Sequence, residues 1–144
     1  MSMKFKEYKG LDLPKVAGEI LEFWDESKIF DKSMESREGK EPFVFFEGPP
    51  SANGMPGIHH VMARTIKDLF CRFKTLQGYK VKRKAGWDTH GLPVELGVEK
   101  ELGITKVDIG TKISVEEYNN ACRKAVMRYT DVWNDLTKKV GYWV

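Results

Sequence analysis

The chain has 144 residues, 41% of them hydrophobic and 31% charged, with a formal net charge of +3. That composition excludes a disordered tail and fits one ordinary domain or a piece of a larger one. Its longest apolar runs, such as Phe43-Val44-Phe45-Phe46, fall far short of the roughly 20 residues that span a bilayer, so no membrane partner is expected.

Met1 to Gly10 carries Lys4, Lys6 and Lys9 and no apolar secretion core. Cys71 and Cys122, the two cysteines, make neither a disulfide framework nor a metal ribbon. A reduced, soluble, cytoplasmic protein is expected. The first helix is entered at Asp12-Leu13-Pro14, with Pro14 in the tolerated first turn. Leu13, Val16, Ala17, Ile20, Leu21 and Trp24 follow its 3.6-residue period. A polar stretch, Asp31 to Glu41, separates it from Phe43-Val44-Phe45-Phe46. Those four residues do not alternate, which predicts a parallel strand buried on both faces.

A shaped loop rich in Gly and Pro follows, from Gly48 to Ile58. From about His59 the apolar set Val61, Met62, Ile66, Leu69, Phe70, Phe73 and Leu76 predicts a helix of about five turns, stopped at Gly78. Tyr79-Lys80-Val81-Lys82 then alternates as a second strand. Strand, helix, strand is a βαβ unit with a right-handed crossover. The second loop, Gly86 to Leu92, leads to a short helix opened by Pro93 and closed by Gly103. Ser114-Val115-Glu116-Glu117 is a capping box, predicting one long amphipathic helix through Leu136 that ends at Gly141. Two strands alone make a marginal sheet with open edges, so the chain reads as a fragment whose sheet is incomplete.

Charge is unevenly placed. Val61 to Lys84 holds Arg64, Lys67, Arg72, Lys74, Lys80, Lys82, Arg83 and Lys84 against Asp68 alone, a local charge of +7. Such a strip suits a polyanion or a nucleotide, but on charge alone a solvated helix face and strand edge is the favoured reading. All three histidines lie at the two loops: His59, His60 and His90. In a βαβ unit both loops emerge at the sheet edge where open α/β sheets bind ligands. A Gly-rich loop opening a helix presents N–H groups to an anion, and imidazoles in its first turn add hydrogen bonds and partial positive charge. Asp88 adds a carboxylate that can hold an ammonium group. One crevice thus offers an anion site beside a cation site.

The run Glu47-Gly48-Pro49-Pro50-Ser51-Ala52-Asn53-Gly54, ending in Ile58-His59-His60, resembles the first signature of the class I aminoacyl-tRNA synthetases. Gly86-Trp87-Asp88-Thr89-His90-Gly91-Leu92-Pro93-Val94-Glu95 resembles the second loop of the isoleucine-specific branch of that family. The resemblance runs from about Phe5 to Val144. It implies an aminoacyl-tRNA ligase that activates isoleucine with ATP and Mg²⁺ and transfers it to tRNA(Ile). It also implies an α/β fold, residues 1–144 being the N-terminal part of a Rossmann-like catalytic domain. Its βαβ core covers about 43–92 and a helical segment about 93–144. Such a piece is expected to be inactive or very weak by itself, because the family places the Lys-Met-Ser-Lys-Ser loop, the editing insertion and the anticodon-binding region later.

Carried over residue by residue, the signature covers Pro50 to His60. His60 and His59 are the implied catalytic residues, and Asn53, Gly54, Gly57, His59 and His60 the implied ATP-binding set. Glu47, Gly48, Pro49, Asp88 and His90 are implied for the amino acid, Asp88 binding its ammonium and His90 orienting Asp88. The family reads His-Ile-Gly-His where this chain reads Gly57-Ile58-His59-His60, so only the last histidine matches, and a shifted adenine is implied.

Blander readings stand beside these. His59 and His60 also suit a solvated helix start, Asp88 a turn cap, Trp87 a packing role, and Tyr129, Trp133 and Tyr142 a core. Lys82, Arg83 and Lys84 suit a strand edge. A metal site built on His59, His60 and His90 is disfavoured, since adjacent helical histidines diverge by about 100°. A non-catalytic nucleotide- or RNA-binding module remains the alternative function.

Overall fold

Helices dominate the computed structural model, which describes Glu7 and residues 10–144. The expectations resting on Lys4, Phe5, Lys6 and Lys9 lie outside the described residues. Helix α1 (Leu13–Ser27) starts where the Asp12 side chain accepts the Lys15 N–H at 3.2 Å, with Pro14 in the first turn. It ends at Lys28, a non-glycine residue at φ 50°, which turns the chain at once into α2 (Ile29–Glu35). The polar stretch read as a separator is thus partly helical. Helix α3 (Ile58–Leu76) follows the Gly/Pro loop, and α4 (Leu92–Leu102) the second loop, ending at Gly103 in the left-handed region. A 3₁₀ turn at Lys106–Asp108 precedes α5 (Val115–Val126). Its capping box is formed: Ser114 Oγ accepts the Glu117 N–H at 3.2 Å, and Glu117 Oε2 accepts the Ser114 N–H at 3.1 Å.

The expected βαβ, Rossmann-like sheet is not there. Among the described residues no strand forms; isolated parallel bridges join Pro42 to Lys80 and Ser51 to Asp88 instead. The Phe43 N–H donates to the Lys80 carbonyl (3.0 Å), and the Asp88 N–H donates to the Pro50 carbonyl (2.9 Å). Between the two bridges one segment advances nine residues and the other eight. A ladder cannot absorb that offset without a bulge, because a slip of one residue inverts every side chain. Pro42, Pro49 and Pro50 also withhold N–H donors from the first segment. Burial differs from expectation in the same way. Phe46 is 91% exposed and Val44 63%, not enclosed on both faces. The α3 residues Ile58, Met62, Ile66, Leu69 and Phe73 are exposed too, since no second layer covers that face among the described residues.

Packing concentrates in two places. Val98 on α4 meets Tyr118 and Ala125 on α5, with Ile104, Ile109 and Ile113 closing the cluster. At the other end Trp143 packs against Trp24 and Phe30, with ring centroids at 5.2 and 5.7 Å, and the Arg72 guanidinium lies 4.1 Å from its centroid. Gly141 allows that approach: it has φ 65°, and a Cβ there would sit 3.3 Å from the Trp24 ring.

The long C-terminal helix is also corrected. It breaks at Met127–Tyr129 into α5 and α6 (Thr130–Lys139). The Tyr129 N–H leaves the helical ladder and donates to the Ala52 carbonyl at 3.0 Å. A tertiary partner has outcompeted helical continuity.

Candidate functional site

The Gly/Pro loop is held from its backbone. Ala52 is fully buried, with its carbonyl on Tyr129, and the Gly54 carbonyl accepts the Trp133 Nε1–H at 2.9 Å. Gly57 caps α3, and its N–H donates to His60 Nδ1 at 2.9 Å. An accepting Nδ1 is unprotonated, so the neutral ring carries its proton on Nε2, a donor. Burial, with the neighbouring His59 and Arg64 charges, pulls the His60 pKa below the usual histidine value. His60 thus presents its Nε2–H as a hydrogen-bond donor, and the lowered pKa reduces the partial positive charge expected from the sequence.

Beside it lies a cleft of about 270 Å³, lined by Glu47, Gly48, Pro49 and Pro50 from the first loop and by His60, Arg64 and Lys67 from α3. The spacing of those three α3 residues, four and then three, puts them on one helix face. Lys84, Gly86, Trp133 and Tyr142 line it as well. Lys67 Nζ pairs with Glu47 at 2.7 Å. Burial opposes the Lys67 charge, but hydrogen bonds to Glu47 and Tyr142 outweigh it and raise its pKa. Arg64 bonds Thr137 Oγ1 and lies 5.0 Å from the Trp133 ring centroid and 5.3 Å from that of Tyr142. Burial lowers its pKa, though a guanidinium keeps its charge at neutral pH. Three cations against one carboxylate make the cleft attractive to an anion.

Of the residues chosen from sequence, Glu47, Gly48, Pro49, Pro50 and His60 line this cleft. Asn53, Gly54 and Gly57 belong to the loop behind it and do not line it. His59 folds back over Gly57, its ring 3.8 Å from that of His60. Asp88 sits beside Ser51, its side chain 47% exposed, with Oδ1 accepting the His90 N–H at 3.3 Å. That is an Asx turn. The His90 imidazole, 3.8 Å from the carboxylate, is exposed. Among the described residues no three His, Cys, Asp or Glu side chains are grouped to hold a metal ion. Sequence reasoning placed Arg64, Lys67 and Lys84 in the positive strip and Trp133 and Tyr142 in the core, but put none of them at this site. For Arg64 and Lys67 the signal was available, in their shared face with His60.

The family model for tRNA synthetases class I (I, L, M and V) matches residues 19–144. The chain is 70% identical over its whole length to an isoleucine–tRNA ligase of Bacteroides fragilis, spanning 13% of that relative. It is 67% identical over its whole length to one of Porphyromonas gingivalis, again 13% of the relative. Against one of Streptomyces avermitilis, 92% of the chain is 56% identical, covering 13% of the relative. The chain thus spans a small part of the length of the curated relatives it matches.

Proposed function

Because the chain belongs to the class I tRNA synthetases of the isoleucine, leucine, methionine and valine group, we propose that it supplies part of the site where isoleucine is activated by ATP for transfer to tRNA(Ile). The observation that carries this reading is its identity, along its entire length, to isoleucine–tRNA ligases. The cleft's chemistry agrees with it. Isoleucine carboxylate attacks the α-phosphate of ATP in line, and magnesium pyrophosphate leaves with the displaced electron pair. Mg²⁺ arrives with ATP as part of the substrate. No covalent bond to the protein is needed, so the residues act by positioning and by stabilising charge.

His60 donates its Nε2–H to a phosphate oxygen as negative charge develops there. Arg64, Lys67 and Lys84 supply the positive field, and the pairing of Lys67 with Glu47 keeps that ammonium fixed. Gly48 and Pro49 form an apolar wall for the isoleucine side chain. Asp88, half-exposed on the adjoining loop, is the carboxylate for the ammonium group, and Asn53, Gly54 and Gly57 keep the loop in shape for the nucleotide. His59, folded over Gly57, takes the place of the family's small residue near the adenine.

Exchange of labelled pyrophosphate into ATP by the complete protein tests this. Isoleucine should drive the exchange, with leucine and methionine far weaker. Exchange driven equally by leucine or methionine overturns the assignment to isoleucine.

A further inference from the structure

Trp133 is 1% exposed, and periodicity alone makes it a core residue. Its contacts are not those of a space-filler. The indole N–H donates to the Gly54 carbonyl at 2.9 Å, a bond that Phe or Leu could not make. Its ring meets the His60 imidazole at 4.6 Å and 68°, and the Trp87 ring at 5.9 Å and 78°. The Arg64 guanidinium also lies over the ring. One side chain therefore touches the Gly/Pro loop, the second loop and the charged face of α3. The chain also breaks a helix to put it there: the Arg128 N–H turns back to the Ala125 carbonyl at 3.1 Å, the Tyr129 N–H crosses to Ala52, and α6 starts afresh with the Trp133 N–H on the Tyr129 carbonyl at 3.0 Å.

We propose that Trp133 is a positioning residue for the activation step: by clamping the Gly54 carbonyl and walling the His60 ring, it holds His60 with Nδ1 on Gly57 and Nε2 available to the cleft. This rests on the activation chemistry proposed above and names a residue through which that chemistry is held in register. Without the clamp the loop and the ring have other arrangements open to them, and a misplaced donor stabilises the transition state poorly. The indole, its ring 4.6 Å from the imidazole, is part of the packing around His60, whose burial lowers the imidazole pKa.

The test is a double-mutant cycle in the complete protein, with Trp133→Phe made alone and together with His60→Ala. Phenylalanine keeps a ring in the core and removes the indole donor. In the pyrophosphate exchange, Trp133→Phe should lower kcat about tenfold with the KM for isoleucine within about twofold. On the His60→Ala background the same change should cost less than about twofold, because its effect passes through His60. Independent, multiplying losses overturn the proposal. The second readout needs no activity: the His60 imidazole, titrated by NMR, should move upward in Trp133→Phe toward the ordinary histidine value. An unmoved titration overturns the proposal as well. Absence of isoleucine-dependent exchange in the unaltered protein would instead overturn the function reading, and the titration would still decide the role of Trp133.

Discussion

Replacing His60 by alanine removes two things that the structure keeps apart. The first is the acceptor for the Gly57 N–H, a 2.9 Å bond at the first turn of α3, together with an aromatic contact to Trp133. Losing a helix cap of this kind costs about 1 kcal/mol, and an aromatic pair adds ~1 kcal/mol, so stability should fall by about 2 kcal/mol. The second is the Nε2–H donor. Loss of one preorganised donor to a developing oxyanion lowers kcat by about 10²–10³, or ~3–4 kcal/mol of transition-state stabilisation. The two effects can be separated, because His60 occupies the third helical position, where a glutamate can reach back to the cap N–H. His60→Glu should therefore recover most of the lost stability while leaving the rate at or below that of His60→Ala. The assays are urea unfolding followed by tryptophan fluorescence, and pyrophosphate exchange normalised to folded protein. A His60→Glu variant with near-normal exchange would refute the donor role, as would a His60→Ala rate loss no larger than its lost folded fraction.

The pH dependence follows from the depressed His60 pKa. The unfolded chain takes up this proton near the ordinary value of about 6.5 and the folded chain only at lower pH, so the contribution of His60 to stability is full above about pH 6.5 and is lost as the pH falls through its folded value. The stability difference between the unaltered protein and His60→Ala, measured by urea midpoint, should shrink on acidification; a difference independent of pH would contradict this. Asp68 is the second target. It accepts Arg72 Nε at 2.6 Å and Arg83 Nη1 at 2.7 Å, and the Arg83 side chain is 6% exposed, with Nη2 unpartnered among the described residues. Asp68→Ala strands that guanidinium and should cost about 3–5 kcal/mol, whereas adding Arg83→Met should restore most of it. A single-variant loss below about 1 kcal/mol in urea unfolding would show that the pair is not effectively buried.

Much of what could be read without coordinates is local. Asp12, Pro14, Gly103 and the Ser114–Glu117 box mark helix ends because each acts on backbone groups within four residues of itself. The two contiguous loop motifs identified the family for the same reason: a run of neighbours is intact in sequence whatever the rest of the chain does. Short-range logic also had its failure, since the turn at Lys28 into α2 carries no apolar period to announce it. Tertiary structure decided the remainder. The phenylalanine run had the composition of a buried strand, but a ladder needs a partner in register, and segments pinned nine and eight residues apart do not keep one. Helical periodicity ran unbroken from Val115 to Leu136, yet the helix parts at Tyr129 because the carbonyls of Ala52 and Gly54, far away in sequence, offer better partners than the next helical turn. That same break carries Trp133 from an anonymous core position to the side of His60. No pattern within α5 or α6 encodes it, since the energy lies in contacts between residues 79 apart.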